Sequence, residues 1–197
     1  MVNMTKLLGH KVAFLITSNI HKFSEARRVL GKFGIATAML KKVQKTEIQD
    51  DKISIIAKTS AMEAFEKCNL PSVVEDAGLF IEALKNFPGP YSSYIFRTIG
   101  NRGILRLMKD VVNREAKFRS VVAFFDQSVD ESKCFIGEVE GEIVEEWRGM
   151  EGFGFDPVFR PLSFEKTFAE MTIQEKNLCS HRSIAFQKFA KWFVQKP

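Results

Sequence analysis

The chain has 197 residues, and its 29 Lys and Arg exceed its 24 Asp and Glu to give a formal net charge of +5. Hydrophobic residues make up 45% and charged residues 27%, which is typical of a folded globular protein and excludes a disordered, collagen-like or disulfide-scaffold chain. No apolar run approaches the roughly 20 residues that a membrane-spanning helix needs, so we expect no membrane partner.

The first half of the chain alternates strand-like and helix-like segments. Residues 12–16, VAFLI, form a short apolar run that predicts a buried strand. A helix with one apolar face follows, and Gly34 is its predicted stop. The next predicted elements are a strand over 35–43, a helix over 51–67, a strand over 72–84 that is broken at Gly78, and a loop over 86–91.

The second half begins with a predicted helix and continues into a predicted strand pair. The predicted elements are a helix over 94–111, strands over 118–126 and 133–147, a glycine-punctuated loop over 148–157, and a last helix from about Ser180. Alternating strands and helices followed by an antiparallel pair predict an α/β fold with a mixed sheet. No linker-like composition divides the chain, so we expect a single domain over 1–197.

Charge and cysteine usage indicate an anionic partner and a cytoplasmic protein. The positive excess is compatible with nucleic acid, an acidic surface or a phosphorylated small molecule. Cys68, Cys134 and Cys179 are too far apart for a zinc or redox motif, which favours reduced thiols. Residues 1–19 lack the pattern of a signal peptide.

A phosphate-binding site is one interpretation of residues 17–22, which lie at a predicted strand-to-helix junction. A helix N-terminus there presents unpaired N–H groups and partial positive charge, and Lys22 adds a full charge one turn in. The chain contains no Walker A loop. The alternative is that Ser18 or Asn19 only caps the helix.

Two adjacent carboxylates follow the apolar run that begins at Ser72. On an extended backbone Glu75 and Asp76 point to opposite faces, so one can line a cleft while the other makes structural bonds. Asp76 is suited to hold Mg²⁺ or to activate water, and Glu47 is a candidate second carboxylate. The alternative is an exposed turn acid before Gly78.

Two later segments are candidates for recognising a ligand. Residues 152–157 combine glycines, two Phe rings and Asp156, which suits stacking and edge hydrogen bonds to a planar base. The alternative is a glycine turn held by core aromatics. Lys176, His181 and Arg182 place positive charge near the start of the last helix, against its dipole. They either serve a ligand or form a solvated charge cluster.

Taken together, six blocks in this order resemble the inosine triphosphate pyrophosphatase family, whose enzymes remove non-standard purine nucleoside triphosphates. The resemblance extends from about residue 12 to about residue 193. The blocks are TSNIHKFSEA (17–26), TEIQ (46–49), EDAGLFIEAL (75–84), FPGPYSSY (87–94), GFGFDPVF (152–159) and FAEMTIQEKNLCSHRSIAF (168–186).

The resemblance implies an elongated α/β fold with a long mixed sheet, two lobes around a central cleft, and a homodimer. It implies that Asp76 is the catalytic carboxylate and that Glu47 and Asp76 bind Mg²⁺. The substrate-binding residues that it implies are Thr17, Ser18, Asn19, Lys22, Ala77, Phe153, Gly154, Phe155, Asp156, Lys176, His181 and Arg182. Glu75, Lys58 and Ser93 are matched less directly, and Ala77 lacks the hydroxyl that the family usually has there.

The expected activity is Mg²⁺-dependent hydrolysis of ITP, dITP or XTP to the monophosphate and pyrophosphate. A 6-oxo purine accepts a hydrogen bond where adenine donates one, so donors from Lys176 or Arg182 favour it. One alternative is a Maf-like nucleotide pyrophosphatase with another base preference, against which the blocks at 152–159 and 180–182 argue. The other is a nucleic-acid-binding module, which is disfavoured because basic residues are scattered among acids.

Overall fold

The computed structural model describes residues 11–43 and 48–196, and a seven-stranded mixed sheet runs through them. Its strands are β1 (Val12–Ile16), β2 (Ala36–Leu40), β3 (Ser72–Ile81), β4 (Phe87–Gly89), β5 (Glu115–Phe125), β6 (Lys133–Ile143) and β7 (Phe159–Pro161). The order is β2-β1-β3-β5-β6-β7, with β4 on β3. β1 is parallel to β2 and β3, and the remaining pairs are antiparallel. The predicted mixed α/β class is confirmed.

Helices cover the sheet and extend beyond it. They are α1 (Ile20–Gly31), α2 (Ile53–Cys68), α3 (Ser92–Thr98), α4 (Gly100–Leu107), α5 (Ile173–Cys179) and α6 (His181–Gln195). Ser180 accepts a hydrogen bond from the amide of Ser183, which makes it the N-cap of α6, the helix predicted to begin at about this residue. None of the helices in the described ranges is both long and apolar enough to cross a membrane.

Some predicted element boundaries differ from the structure. α1 ends at Gly31, three residues before the predicted stop, and Gly34 at φ +70° lies in the turn that follows. The predicted helix over 94–111 is two helices, because Gly100, the first residue of α4, adopts φ +61°. That left-handed conformation, which glycine adopts readily, cannot continue a right-handed helix.

The predicted strand break at Gly78 is wrong, since β3 continues through this residue to Ile81. A Cβ atom on Gly78 would lie 2.3 Å from the carbonyl oxygen of Gly89. The glycine therefore permits the close approach of β4, which occupies part of the predicted loop over 86–91.

Successive side chains of β3 pack in different hydrophobic clusters on the two faces of the sheet. Val73 packs in a cluster with α1 and α6, whereas Val74 packs in a cluster with α2. Because strand side chains alternate, Glu75 shares the face of Val73 and Asp76 shares the face of Val74. A third cluster, which includes Phe118, lies toward β7 and α4.

Candidate active site

The candidate site lies at a gap along one edge of β3. β5 pairs with β3 over its whole length. On the opposite edge, β1 pairs only with Ser72 and Val73, and β4 pairs only with residues 79–81. Among the described residues, 74–78 therefore have no strand partner on that edge. Residues 17–22 follow the carboxyl end of β1 beside this gap, a common ligand position in α/β sheets.

The segment 17–22 forms a capped helix start. The amide of Asn19 donates to Thr17 Oγ1 at 3.1 Å, and Asn19 Oδ1 accepts from the amides of His21 and Lys22 at 3.0 and 3.1 Å. The capping alternative is therefore realised at Asn19, while Ser18 is exposed. Because Asn19 satisfies two first-turn amides, the ammonium of Lys22 is the segment's main positive charge.

Glu75 and Asp76 lie in the middle of β3 rather than at its end, and they face opposite sides of the sheet as predicted. The Glu75 side chain is 5% exposed. Its Oε1 accepts from Ser120 Oγ at 2.6 Å and from Arg182 Nε at 3.0 Å, and its Oε2 lies 3.0 Å from Lys22 Nζ. Although burial alone raises it, Arg182, Lys22 and Ser120 hold the pKa of Glu75 well below its usual value.

Glu25, on α1, connects two cations from the end of the chain. Its Oε1 lies 2.8 Å from Lys176 Nζ and its Oε2 lies 2.5 Å from Arg182 Nη1. Lys176 Nζ also lies 2.7 Å from Asp156 Oδ2. Together with Lys22 and Glu75 these residues form the buried charge cluster. Its members are Lys22, Glu25, Glu75, Asp156, Lys176 and Arg182, with equal numbers of positive and negative formal charges.

Burial and charge act differently on the acids of this cluster. Burial raises the pKa of Asp156, and its contact with Lys176 only partly opposes the shift. Burial also acts to raise the pKa of Glu25, but Arg182 and Lys176 bring it below the usual value. Glu25 and Glu75 are therefore the carboxylates that the neighbouring cations hold most firmly in the ionised form.

His181 occupies a mainly apolar environment. Its ring stacks on Phe118 with centroids 4.5 Å apart and planes 9° apart. Burial, followed by the charges of Arg182 and Lys176, lowers the pKa of His181 well below 6.5, so the imidazole is neutral at pH 7. Its buried Nδ1 has no hydrogen-bond partner among the described residues.

The loop at 152–157 brings one aromatic ring to the buried charge cluster. The Phe153 ring centroid lies 5.0 Å from Lys176 Nζ and 5.2 Å from Arg182 Cζ, and its other neighbour is the stacked ring of His21 at 5.2 Å. Asp156 Oδ2 accepts from the amide of Phe153 at 2.7 Å. Phe155 is instead buried in the core. Only one of the two predicted rings therefore faces the cluster.

Asp76 lines a cleft of about 340 Å³ on the other face of β3. The polar residues that line it include Ser60, Asp76, Tyr91, Ser93, Tyr94 and Arg97. Asp76 Oδ1 accepts from the amide of Ala77 at 3.0 Å. This cleft, called here the Asp76 cleft, is bounded by β3, α2 and α3, and it holds the predicted residue Ser93.

Lys58 lies outside this arrangement. It is on α2 but is not among the residues that line the Asp76 cleft. Its Nζ lies 3.9 Å from a carboxylate oxygen of Glu131. Glu47 falls outside the described residues. Across the described residues there is no group of three or more His, Cys, Asp and Glu side chains arranged to hold a metal ion.

Comparison of the chain with known proteins shows which family it belongs to. A model of the Ham1 family matches residues 13–192. The chain belongs to the Ham1 family. A protein from Methanopyrus kandleri named dITP/XTP pyrophosphatase is 45% identical over 183 residues, which are 93% of this chain and 96% of that protein. One of the same name from Ignicoccus hospitalis is 47% identical over 186 residues, 94% of this chain and 97% of that protein.

A solved Ham1 structure shares the fold. The HAM1 protein from Coxiella burnetii is 28% identical and superposes with a TM-score of 0.84 over 94% of this chain and 100% of that chain. The family resemblance inferred from the six blocks is thereby confirmed. Glu25 was not singled out from the sequence, although it precedes Ala26 on the buried side of α1. An acid on an apolar helix face is a signal that would have identified it.

Proposed function

We propose that this protein hydrolyses non-standard purine nucleoside triphosphates, namely ITP, dITP and XTP, to the monophosphate and pyrophosphate. The observation that carries the proposal is the full-length similarity to relatives named dITP/XTP pyrophosphatases. The gap in the sheet supports it, because it brings the carboxylate of Asp76, the buried charge cluster and an aromatic ring to one edge of β3.

Asp76 is the proposed catalytic residue and the proposed Mg²⁺ ligand. Magnesium in nucleotide enzymes is held by one or two carboxylates together with substrate phosphates, and the carboxylate of Asp76 at the cleft fits that donor set. Glu47 remains the proposed second ligand. When bound, the metal neutralises phosphate charge. Asp76 also orients the attacking water.

The reaction breaks the bond between the α-phosphorus and the oxygen that bridges to the β-phosphate. The water oxygen forms a bond to the α-phosphorus, one water proton passes to the surrounding solvent, and the bridging oxygen leaves with pyrophosphate. Negative charge grows on the leaving group, so a nearby cation accelerates the step. Lys22, beside the gap and paired with Glu75, supplies that charge.

Base selection is assigned to the side of the gap that carries Phe153. Lys176 and Arg182 retain N–H groups beyond those that bind Glu25, Glu75 and Asp156. The carboxylates fix the directions of the remaining donors beside the Phe153 ring. A 6-oxo purine placed beside that ring would accept from them, whereas adenine presents a donor and leaves them unpaired.

The test compares ITP, XTP, GTP, ATP, TTP and UTP with Mg²⁺ and measures pyrophosphate and orthophosphate separately. We expect pyrophosphate to be released from ITP and XTP with a kcat/KM about 100-fold above that for ATP, the scale of leaving one buried polar group unsatisfied. Release of orthophosphate alone contradicts the proposed bond cleavage. Equal turnover of TTP or UTP favours a Maf-like enzyme instead.

We also propose that the chain acts as one two-lobed catalytic unit, as a cytoplasmic homodimer that binds no nucleic acid. This proposal is supported by the family resemblance. It is also supported by the ion pairs at the site, because most of the charges there are paired with other residues of the protein. Sedimentation equilibrium is expected to give twice the mass of the 22.5 kDa chain. Retention of RNA at physiological salt without ITP turnover contradicts this proposal.

A further inference from the structure

The cations proposed to meet the substrate are already paired inside the protein. Lys22 Nζ lies 3.0 Å from Glu75, while Lys176 and Arg182 each contact two carboxylates. The buried charge cluster therefore has no formal net charge to offer a triphosphate. Since a triphosphate carries several negative charges, a nearby protein cation that is not already paired would strengthen its binding beyond what Mg²⁺ and Lys22 provide.

The Asp76 cleft contains such a cation. Among the described residues that line it, Arg97 is the only Lys or Arg. Arg97 lies on α3 and is exposed, and no hydrogen bond or ion pair joins its guanidinium group to another described residue. Its charge is therefore not offset by a carboxylate of the described protein, whereas Lys22, Lys176 and Arg182 are each paired with at least one.

The position of Arg97 on α3 aims it at the same space as two hydroxyl groups. Ser93 and Tyr94 precede it by four and three residues and also line the cleft, because residues at these spacings share one face of a helix. A guanidinium group presents paired N–H donors in a planar fork that matches phosphate oxygens. Arg97, Ser93 and Tyr94 together resemble a phosphate-binding wall.

The faces of β3 on which Phe153 and Asp76 lie bear on which phosphates of a nucleotide could reach this wall. Phe153 and the buried charge cluster lie on one face of β3, and Asp76 lies on the other face beside α3. For a nucleotide with its base at Phe153 and its α-phosphate at Asp76, as proposed above, the wall of the Asp76 cleft formed by α3 would offer Arg97 to the remaining phosphates.

We propose that Arg97 binds the β- and γ-phosphates of the substrate, which leave as pyrophosphate, with Ser93 and Tyr94 as neighbouring hydroxyl donors. This inference rests on the proposed function of the same cleft. It assigns Arg97 a substrate-binding role that is separate from base selection and from metal binding.

The test uses Arg97→Ala and Arg97→Lys, with Arg102→Ala as the matched control. Arg102 is an exposed arginine on the adjacent helix α4, and it does not line the Asp76 cleft. For Arg97→Ala we expect KM for ITP to rise about tenfold, the scale of one charged hydrogen bond, and binding of inorganic tripolyphosphate to weaken equally. Inosine monophosphate, which lacks the β- and γ-phosphates, should bind unchanged.

The outcomes separate this inference from the proposed function. Arg97→Lys keeps the charge but not the fork, so its KM should lie between those of wild type and Arg97→Ala. Unchanged KM and unchanged tripolyphosphate binding in Arg97→Ala, or an equal loss in Arg102→Ala, overturns the role of Arg97. If wild type fails to hydrolyse ITP, the proposed function fails, but tripolyphosphate calorimetry on the same variants still tests the site.

Discussion

His181 shows how one buried side chain makes the stability of the whole fold depend on pH. Burial and the charges of Arg182 and Lys176 hold its pKa well below 6.5 in the folded protein. The unfolded chain protonates this imidazole below about pH 6.5, so between that pH and the folded pKa the unfolded state binds more protons. The free energy of unfolding must therefore fall as the pH decreases through this window.

We expect His181→Phe to flatten this dependence, because Phe keeps the stack on Phe118 but does not titrate. Urea unfolding of both proteins at pH 7, 6 and 5 measures the effect. The wild-type slope should exceed that of the variant by up to about 1.4 kcal/mol per pH unit. Equal slopes would show that the imidazole titrates alike in the folded and unfolded states. The low pKa of Glu75 affects stability at more acidic pH, as the unfolded carboxyl titrates near 4.5.

At the scale of elements, the start of α6 is seated directly on the backbone of β6. A Cβ atom on Gly137 would lie 2.0 Å from the carbonyl oxygen of His181 and 2.5 Å from the amide nitrogen of Ala185. Only a residue without a side chain permits this approach. The seating matters for the site, because Arg182 lies in the first turn of α6 and bonds Glu25 and Glu75 from there.

Gly137→Ala is therefore expected to lower the free energy of unfolding by about 2 kcal/mol, as overpacked sites do, and to reduce kcat/KM by displacing Arg182. Gly31→Ala is the control, because, apart from its chain neighbours and the backbone of its own helix, nothing lies within 4 Å of the Cβ position at that glycine. Alanine there should be neutral or stabilising by up to about 1 kcal/mol. Urea unfolding and ITP turnover test both variants. An equally mild effect at the two glycines contradicts the seating of α6.

Local sequence patterns predicted the elements but not the contacts between distant ones. The apolar run 12–16 matches β1 residue for residue, and alternation correctly separated Glu75 from Asp76. Gly78 was misread because its role depends on Gly89, which joins the sheet after a turn. The ion pairs of Glu25 join residues that are 151 and 157 positions apart, a separation that no local periodicity encodes.

For the whole molecule, β3 divides structural from chemical roles between the two faces of the sheet. Glu75 faces α1 and α6 and is surrounded by Ser120, Arg182 and Lys22, which hold it ionised. Asp76 faces α2 and α3 and lines an open cleft. Loss of the Glu75 carboxylate is therefore expected to lower stability, whereas loss of the Asp76 carboxylate is expected to lower activity. Isosteric amide substitutions test the two expectations separately.

Glu75→Gln leaves buried Arg182 and Lys22 with one carboxylate fewer, so we expect the free energy of unfolding to fall by about 3 kcal/mol. Asp76→Asn removes charge from a partly exposed cleft residue, so stability should change by less than about 1 kcal/mol. Its ITP turnover should fall at least about 100-fold, because the proposed metal ligand and water-orienting carboxylate is lost. Urea unfolding and ITP turnover, measured on both variants, provide the comparison. Near-normal turnover in Asp76→Asn refutes the catalytic role of Asp76. Equal destabilisation of the two variants refutes the division of roles between the faces of β3, because it would place both carboxylates in the structural network.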